Sequence, residues 1–462
     1  MRLPRAVALA LALLLPVAPA SDAASATPPT VRLTHDGTRV HGTTWDLGLV
    51  AAFGAVVESV GGAVELHARA DGTVRQIVRA ADGTPATVRT FRSASRDLVA
   101  GLNAFFVLEV RPEAGGPVIA RARLPFCPSG PLRQRVADDR GPAEATMPSR
   151  CFATPVTQAT VWGIDDGWGV AAPTTDFVPV DLDEGRYTAT ISIAPRWTRE
   201  LGVAAADRRV SFGLSVADSA FSRPAAAART KDAPDTTLDD GGGVPDLVAL
   251  PPWQVDARVD ARTGADLVMF ASTIWNAGTG PLVVDGSRRA GAPTMTAYQS
   301  FYEDGAAVRR TRAGSFQFHD AAGHQHWHFL DFAQYSLVDR TTDARVRSEK
   351  ESFCLTWTDP VDLTIPEAAW DPGSTSLQTA CGTPESLSLR QLIPVGWGDT
   401  YHQQLAGQAF DVTDLPNGRY AIEVATNVDG RLTELRTDNN AASVEIELGG
   451  GRGARTVTVR DR

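Results

Sequence analysis

Short runs of alternating apolar and polar residues recur along most of the chain, and glycine, proline or aspartate separates them. Alternation with a period of two is typical of strands that bury one face. The clearest runs in the first half are residues 31–34, 63–68, 105–110, 187–193 and 210–216. The pattern therefore predicts an all-β protein.

The alternation stops at residues 223–243, where alanine, charged residues and three successive glycines show no apolar period. This composition is typical of a flexible linker. It divides the chain into a β-sandwich-like N-terminal region, residues 27–222, and a second one, residues 244–448. Residues 449–462 are rich in glycine and arginine, and we expect them to form a disordered tail. The N-terminal region has no motif of known chemistry, so we expect a binding or spacer role.

One turn-and-strand pattern occurs late in both regions. Residues 183–189 and 416–422 each place a Gly-Arg-Tyr triplet before an alternating strand. Such a tyrosine is typical of a structural corner in an antiparallel β-sandwich. We therefore interpret Tyr187 and Tyr420 as structural residues.

The first 26 residues have the pattern of a secretory signal. Arg2 and Arg5 precede an apolar stretch at 6–17, and small residues at 18–20 or 24–26 supply a cleavage site. No later stretch reaches the ~18 apolar residues that a membrane helix needs. We therefore expect a secreted, extracellular protein without a membrane span.

Composition narrows the function classes further. The 462 residues are 43% hydrophobic, which is enough for two or three folded domains and excludes general disorder. The lack of a tripeptide or heptad repeat in the sequence excludes collagen and coiled coil. The net charge of −10 disfavours nucleic acid and anionic lipid as partners. No glycine-rich phosphate loop or serine nucleophile elbow is present in the sequence.

The four cysteines of an exported chain are expected to form two disulfides. Three pairings are possible, and proximity in sequence favours Cys127–Cys151 and Cys354–Cys381. A cysteine metal site is the alternative, but the sequence lacks the C-x-x-C pair that such sites commonly contain.

Four of the eight histidines lie between His319 and His328. The densest part is His324-Gln325-His326-Trp327-His328, and a strand would send its three imidazoles to one face. Three imidazoles suit copper or zinc. A flat strand sets the outer two ~13 Å apart, so binding one ion requires a bend. The alternatives are a surface histidine cluster and, for His319, a fourth ligand, a partner of the ligands or a loop residue.

Lysine is rare, because only Lys231 and Lys350 interrupt a chain that otherwise uses arginine. Lysine, unlike arginine, becomes a nucleophile once its pKa is lowered. Lys350 lies between Glu349 and Glu351, so a surface ion pair is the simpler alternative. Tyr401 follows Trp-Gly-Asp-Thr, and a phenol beside a redox metal can be oxidised, although a core position is the alternative.

These blocks occur in the same order as in the catalytic domain of the lysyl oxidases, which residues 244–448 resemble. The matching blocks are residues 245–248, 274–279, 324–328, 350–354, 399–401, 410–414, 418–420 and 437–440. The resemblance implies that His324, His326 and His328 bind copper. It also implies that Lys350 and Tyr401 form the family's organic cofactor, lysine tyrosylquinone.

By this resemblance the protein is a secreted amine oxidase. Such an enzyme oxidises primary amines, as peptidyl lysine or small amines, to aldehydes, and reduces O2 to H2O2. The alternative from another class is a non-catalytic exported β-sandwich protein that binds copper or zinc or mediates adhesion.

The sequence departs from the family at the catalytic base. The family's histidine after the metal motif matches Gln334, and glutamine cannot accept the proton. The remaining candidates for the base are His402, Asp331 and Asp399. A degenerate amine oxidase that has lost its base is a further alternative.

Overall fold

The structure is a computed structural model, and it describes residues 27–45, 48–92, 98–173, 178–217, 243–303, 306–320, 325–374 and 377–460. The predicted signal sequence and all but the last residue of the predicted linker lie outside these residues. Strands make up 54% of the structure and helix 3%, which confirms the predicted all-β class. Within the described residues, none of the helices has the length and apolar character needed to cross a bilayer.

The described part of the N-terminal region contains fourteen strands, one short helix and one 3-10 turn at Ala205–Asp207. These elements are β1 (Thr30–His35), β2 (Val40–Trp45), β3 (Gly48–Ala51), β4 (Ala55–Val60), β5 (Val64–Arg69), β6 (Thr73–Arg79), β7 (Pro85–Arg92), β8 (Leu102–Pro112), β9 (Ala120–Phe126), β10 (Arg133–Arg135), β11 (Ala159–Ile164), β12 (Trp168–Ala172), β13 (Gly185–Ile193), α1 (Pro195–Glu200) and β14 (Arg209–Ala217). Each of the five alternating runs predicted above overlaps one of these strands, namely β1, β5, β8, β13 or β14, and only residue 63 lies outside its strand.

Three sheets surround one apolar core in this region. Their strand orders are β1-β4-β12-β10, β11-β5-β6-β7 and β3-β2-β14-β13-β8-β9. The neighbouring pairs are antiparallel except β2 and β14, which run parallel. Strand β13 buries every second residue, so the core side chains follow from the period-two pattern.

The second region contains the remaining described strands and a 3-10 turn at Pro372–Ser374. These strands are β15 (Leu247–Ala249), β16 (Trp253–Val259), β17 (Asp266–Asn276), β18 (Leu282–Ser287), β19 (Thr294–Glu303), β20 (Ala306–His319), β21 (His326–Asp339), β22 (Ala344–Phe353), β23 (Asp359–Pro360), β24 (Ser388–Ile393), β25 (Trp397–Tyr401), β26 (Ala409–Asp411), β27 (Gly418–Thr426), β28 (Ala441–Gly451) and β29 (Ala454–Val459).

Two sheets of the second region enclose a second core. The larger sheet has the order β24-β18-β19-β20-β21-β27-β28-β29, and β22 also pairs with β21. The smaller sheet is built around β17, which pairs with β15, β16, β25 and β26. Strand β17 is buried along almost its full length, as expected for the centre of a sheet that is covered on both faces.

Both predicted tyrosine corners are present. The Tyr187 hydroxyl donates to the Asp183 carbonyl at 2.7 Å, and the Tyr420 hydroxyl donates to the Pro416 carbonyl at 2.8 Å. In each case the acceptor lies four residues upstream, which closes the turn before the strand. This confirms the structural interpretation of the repeated pattern.

The end of the chain differs from the expected disordered tail. Strand β28 continues to Gly451, and β29 returns antiparallel beside it. Residues 455–459 alternate and contain the β-branched side chains that favour strands. Gly453, with φ +77°, supplies the left-handed conformation in the turn between the two strands.

The two regions meet beside β25. The amide of Gln158 donates to the Val361 carbonyl at 2.7 Å, and the amide of Leu363 donates to the Ala159 carbonyl at 3.1 Å. The ring of Phe152 packs edge-on against Trp397 at 5.6 Å. The first residue of β25 is therefore covered by the N-terminal region.

Candidate active site

Strands β20 and β21 position the histidines of the site. Their register sets His319 opposite His326 and Gln317 opposite His328. Because side chains alternate along a strand, the imidazoles of His319, His326 and His328 lie on one face of the sheet. Trp327 is buried on the other face.

The imidazoles approach one another closely. The rings of His326 and His328 have centroids 4.8 Å apart, and His319 stacks on His328 at 5.1 Å. His324 lies outside the described residues. Among the residues that are described, no three histidine, cysteine, aspartate or glutamate side chains are arranged to hold a metal ion. The two described ligand candidates therefore converge, while the expected third ligand is not part of the described structure.

Trp327 anchors the histidine strand to the loop that contains Cys381. Its backbone amide donates to the Cys381 carbonyl at 2.8 Å, and its indole donates to the Thr383 carbonyl at 2.7 Å. Its carbonyl accepts a hydrogen bond from the Gln391 side chain at 2.7 Å. The residue between the two histidines is thus fixed at three atoms.

Tyr401 ends β25 and is buried. Its ring stacks on Phe353 at 3.9 Å, and its hydroxyl accepts a hydrogen bond from the Cys354 amide at 2.9 Å. Burial raises the pKa of Tyr401 above its usual range, and the neighbouring Asp399 adds to this shift. The phenol is therefore protonated at neutral pH.

A disulfide connects these two parts of the site. The structure joins Cys354 to Cys381, and it also joins Cys127 to Cys151 in the N-terminal region. These are the two pairs that proximity in sequence favours. Because Cys354 donates to Tyr401 and Cys381 accepts from Trp327, the first bridge links the tyrosine to the histidine strand.

Lys350 lies in β22, and of this residue the structure describes only the backbone. Its partner in the register is Gln334 on β21. The Gln334 side chain donates to the Ser348 hydroxyl at 2.8 Å, and it does not line the cavity described next. The position expected for the family's histidine is therefore occupied by a side chain that bonds elsewhere.

A cavity of about 310 Å³ connects the histidines with the tyrosine. Ten of the described residues line it: Gln317, Phe318, His319, His328, Leu330, Glu351, Ser352, Tyr401, Ala406 and Gly407. His328 and Tyr401 thus face the same space.

The three base candidates named from the sequence do not line this cavity. His402 is exposed, and its ring packs edge-on against Trp253 at 5.7 Å. Asp331 forms an ion pair with Arg431 at 3.3 Å.

Asp399 is buried behind the tyrosine, and burial raises its pKa well above the usual range. The nearby amide of Thr356 opposes this rise, although neither carboxyl oxygen accepts a hydrogen bond of ordinary geometry from a residue that the structure describes.

Glu351 is the titratable cavity residue that sequence reasoning missed. The sequence alone suggested for it only an ion pair with Lys350. One available signal was its position two residues before Phe353, since a carboxylate in register with an apolar residue points to the same, buried face.

Comparison with known proteins gives a partial match to the second region. Residues 299–458 match the family model for lysyl oxidase. The chain is 30% identical to protein-lysine 6-oxidase of Sus scrofa over 138 residues, which are 29% of this chain and 48% of that protein. The identity is also 30% with the Bos taurus protein-lysine 6-oxidase over 138 residues, or 29% of each chain.

Lysyl oxidase homolog 3B of Danio rerio is 29% identical over 149 residues, which are 32% of this chain and 17% of that protein. The chain therefore spans about half the length of the pig relative and less than a third of the bovine one. The matched segment contains the cavity and its lining residues. Residues 299–458 thus match the lysyl oxidase family model, and this partial match supports an amine oxidase function in general terms.

Proposed function

We propose that the protein is a copper-dependent amine oxidase that converts primary amines to aldehydes and reduces O2 to H2O2. The observation that carries the proposal is the shared cavity, which both Tyr401 and His328 line. The family match over the same residues supports the class of reaction.

The donor atoms of the site suit copper. His326 and His328 would hold the ion together with His324, because imidazole nitrogens are common ligands of Cu²⁺. The 4.8 Å approach of the two described rings fits such a role.

In this proposal Lys350 and Tyr401 form the organic cofactor, a quinone that supplies the two-electron oxidant when present. Phe353 and the Cys354 amide fix the plane and the hydroxyl of the tyrosine ring. Because burial holds the proton on the phenol, its removal requires a nearby cation, and the adjacent histidines would supply one as bound metal.

The substrate is a primary amine, either peptidyl lysine or a small amine. The relatives named protein-lysine 6-oxidase favour the former. In this proposal, export through the signal sequence of residues 1–26 would deliver the enzyme to extracellular substrates.

The decisive experiment loads the purified protein with copper under air. We expect a quinone absorbance, a Lys350–Tyr401 cross-linked peptide in the mass spectrum, and amine-dependent H2O2 production. Lys350→Arg should abolish all three, because guanidinium is not a nucleophile near neutral pH. Lys231→Arg is the matched control, since it removes the only other lysine of the chain.

Two results would contradict the proposal. Wild-type rates of peroxide production by Lys350→Arg would exclude the cofactor. Stoichiometric copper binding without quinone or peroxide in the wild type would favour a non-catalytic metal-binding protein.

A further inference from the structure

The side chain of Glu351 lies on the wall of the cavity that faces the tyrosine. Glu351 and Phe353 are two positions apart in β22, so their side chains lie on the same face of the strand. Phe353 is fully buried against the Tyr401 ring. Glu351 lines the cavity together with Tyr401 and His328. A carboxylate is therefore present where the substrate must enter.

A glycine provides the space for this carboxylate. Gly407 has φ +83°, and a Cβ at this position would lie 2.4 Å from one carboxylate oxygen of Glu351. The adjacent Gln408 fixes the loop, because its side chain donates to the Tyr335 hydroxyl at 2.9 Å. The Glu351 carboxylate therefore packs against the backbone of Gly407, where the lack of a side chain leaves room for it.

Within the described part of the chain, the side chain of Glu351 forms neither an ion pair nor a hydrogen bond. Burial raises its pKa to about 7, and the neighbouring charge of Glu349 adds to this shift. Its own charge raises the pKa of Tyr401 and of Tyr335, so it acts electrostatically on both phenols. Among the described residues that line the cavity, the other titratable groups are Tyr401 on β25, His319 on β20 and His328 on β21. A partly buried carboxylate that titrates near neutral pH is suited to general base catalysis.

We propose that Glu351 is the catalytic base of this enzyme, in the role for which Gln334 is unsuited. The inference rests on the proposed function. When the quinone is present, the Glu351 carboxylate would accept the proton from the substrate carbon that bears the amine nitrogen. The quinone would supply the two-electron oxidant for that carbon, and O2 with two protons would take up these electrons as H2O2. Water would supply the oxygen of the aldehyde, and the nitrogen would leave as ammonia.

The first test compares Glu351→Gln with Glu349→Gln in copper-loaded protein. Both variants should form the quinone. Glu351→Gln should lower kcat by at least about 100-fold, the usual contribution of a general base, with a larger isotope effect from substrate deuterated at the reacting carbon. In the wild type, kcat should rise as pH passes through about 7 and the carboxylate forms. Glu349→Gln should keep the turnover and move this midpoint to lower pH, because it removes the neighbouring negative charge.

The second test uses copper-free protein and needs no turnover. Infrared difference spectra across neutral pH should show a protonated carboxyl group that titrates near 7 in the wild type. This signal should vanish in Glu351→Gln and shift to lower pH in Glu349→Gln. A signal that persists unchanged in Glu351→Gln would overturn the assignment.

The outcomes separate this inference from the proposed function. If the wild type forms no quinone, the proposed function fails. If Glu351→Gln forms quinone and keeps the wild-type kcat, isotope effect and pH profile, the function stands and the base is another residue. If Glu351→Gln forms no quinone, Glu351→Asp decides. If Glu351→Asp lowers kcat but kcat still rises with pH near neutrality, the result supports Glu351 as the base. If Glu351→Asp keeps the wild-type kcat, the assignment is overturned.

Discussion

Replacing both Cys354 and Cys381 by alanine tests whether their disulfide positions the tyrosine against the histidines. Cys354 donates its amide to the Tyr401 hydroxyl, and the Cys381 carbonyl accepts from the amide of Trp327. The bridge therefore connects two hydrogen bonds that belong to different halves of the site. Without it, we expect the tyrosine and the histidine strand to lose their fixed relative position.

The stability cost follows from the length of the closed loop. The two cysteines are 27 residues apart, for which the loop-closure entropy corresponds to about 3.5 kcal/mol. Cys127 and Cys151 are 24 residues apart, which gives a nearly equal cost of about 3.4 kcal/mol. Neither residue of this second pair lines the cavity. Its double alanine variant is therefore a control matched in stability.

The assay has two readouts under non-reducing conditions. Denaturant unfolding should give the same loss of unfolding free energy for the two double variants. Quinone absorbance per folded, copper-loaded protein should fall about tenfold only in the Cys354/Cys381 variant, because the lost positioning is equivalent to one or two hydrogen bonds. Equal quinone yields in the two variants would refute the reasoning.

Two further predictions concern stability. Asn276 is buried, and its side chain accepts from two backbone amides and donates to two backbone carbonyls. In urea unfolding, Asn276→Ala should lower the unfolding free energy by about 3 kcal/mol. Asn417 is exposed, so the control variant Asn417→Ala should lower it by under about 1 kcal/mol. Similar losses in the two variants would contradict the burial argument. The second prediction concerns Glu351, whose pKa is raised to about 7 in the folded state from an ordinary value of 4.5. Its protonated form is therefore favoured in the folded state, and the free energy of unfolding falls as pH rises from 4.5 to 7. After allowance for solvent screening, this loss should be about 2 kcal/mol and absent in Glu351→Gln, and an unchanged pH slope in that variant would contradict it.

Local patterns predicted much of the fold. The alternating run at 187–193 forms β13, because period-two burial depends only on neighbouring residues. Both tyrosine corners are likewise local, since each bond spans four residues. The alternation of His326 and His328 also placed their rings on one face correctly.

The base position required non-local information. A bulge between Phe329 and Ala333 shifts the register of β21 against β22, and Asp331 has φ +57° within it. Spacing along the chain cannot reveal such a shift. It also cannot reveal that Gly407, 56 positions after Glu351, leaves room for the carboxylate. Candidates chosen by proximity to the motifs, such as His402, therefore lie outside the cavity.

Strand β25, which ends at Tyr401, contacts residues outside the segment that matches the family model. Strand β25 has only five residues, and Tyr401 at its end is placed by pairing with β17 and by the Cys354 amide. Trp397 at its start is 2% exposed and packs against Phe152 of the N-terminal region. Residue 152 precedes the family match by more than 140 positions, and β17 also lies before it. Because Phe152 contacts the first residue of this five-residue strand, the N-terminal region packs directly against the element that ends at Tyr401.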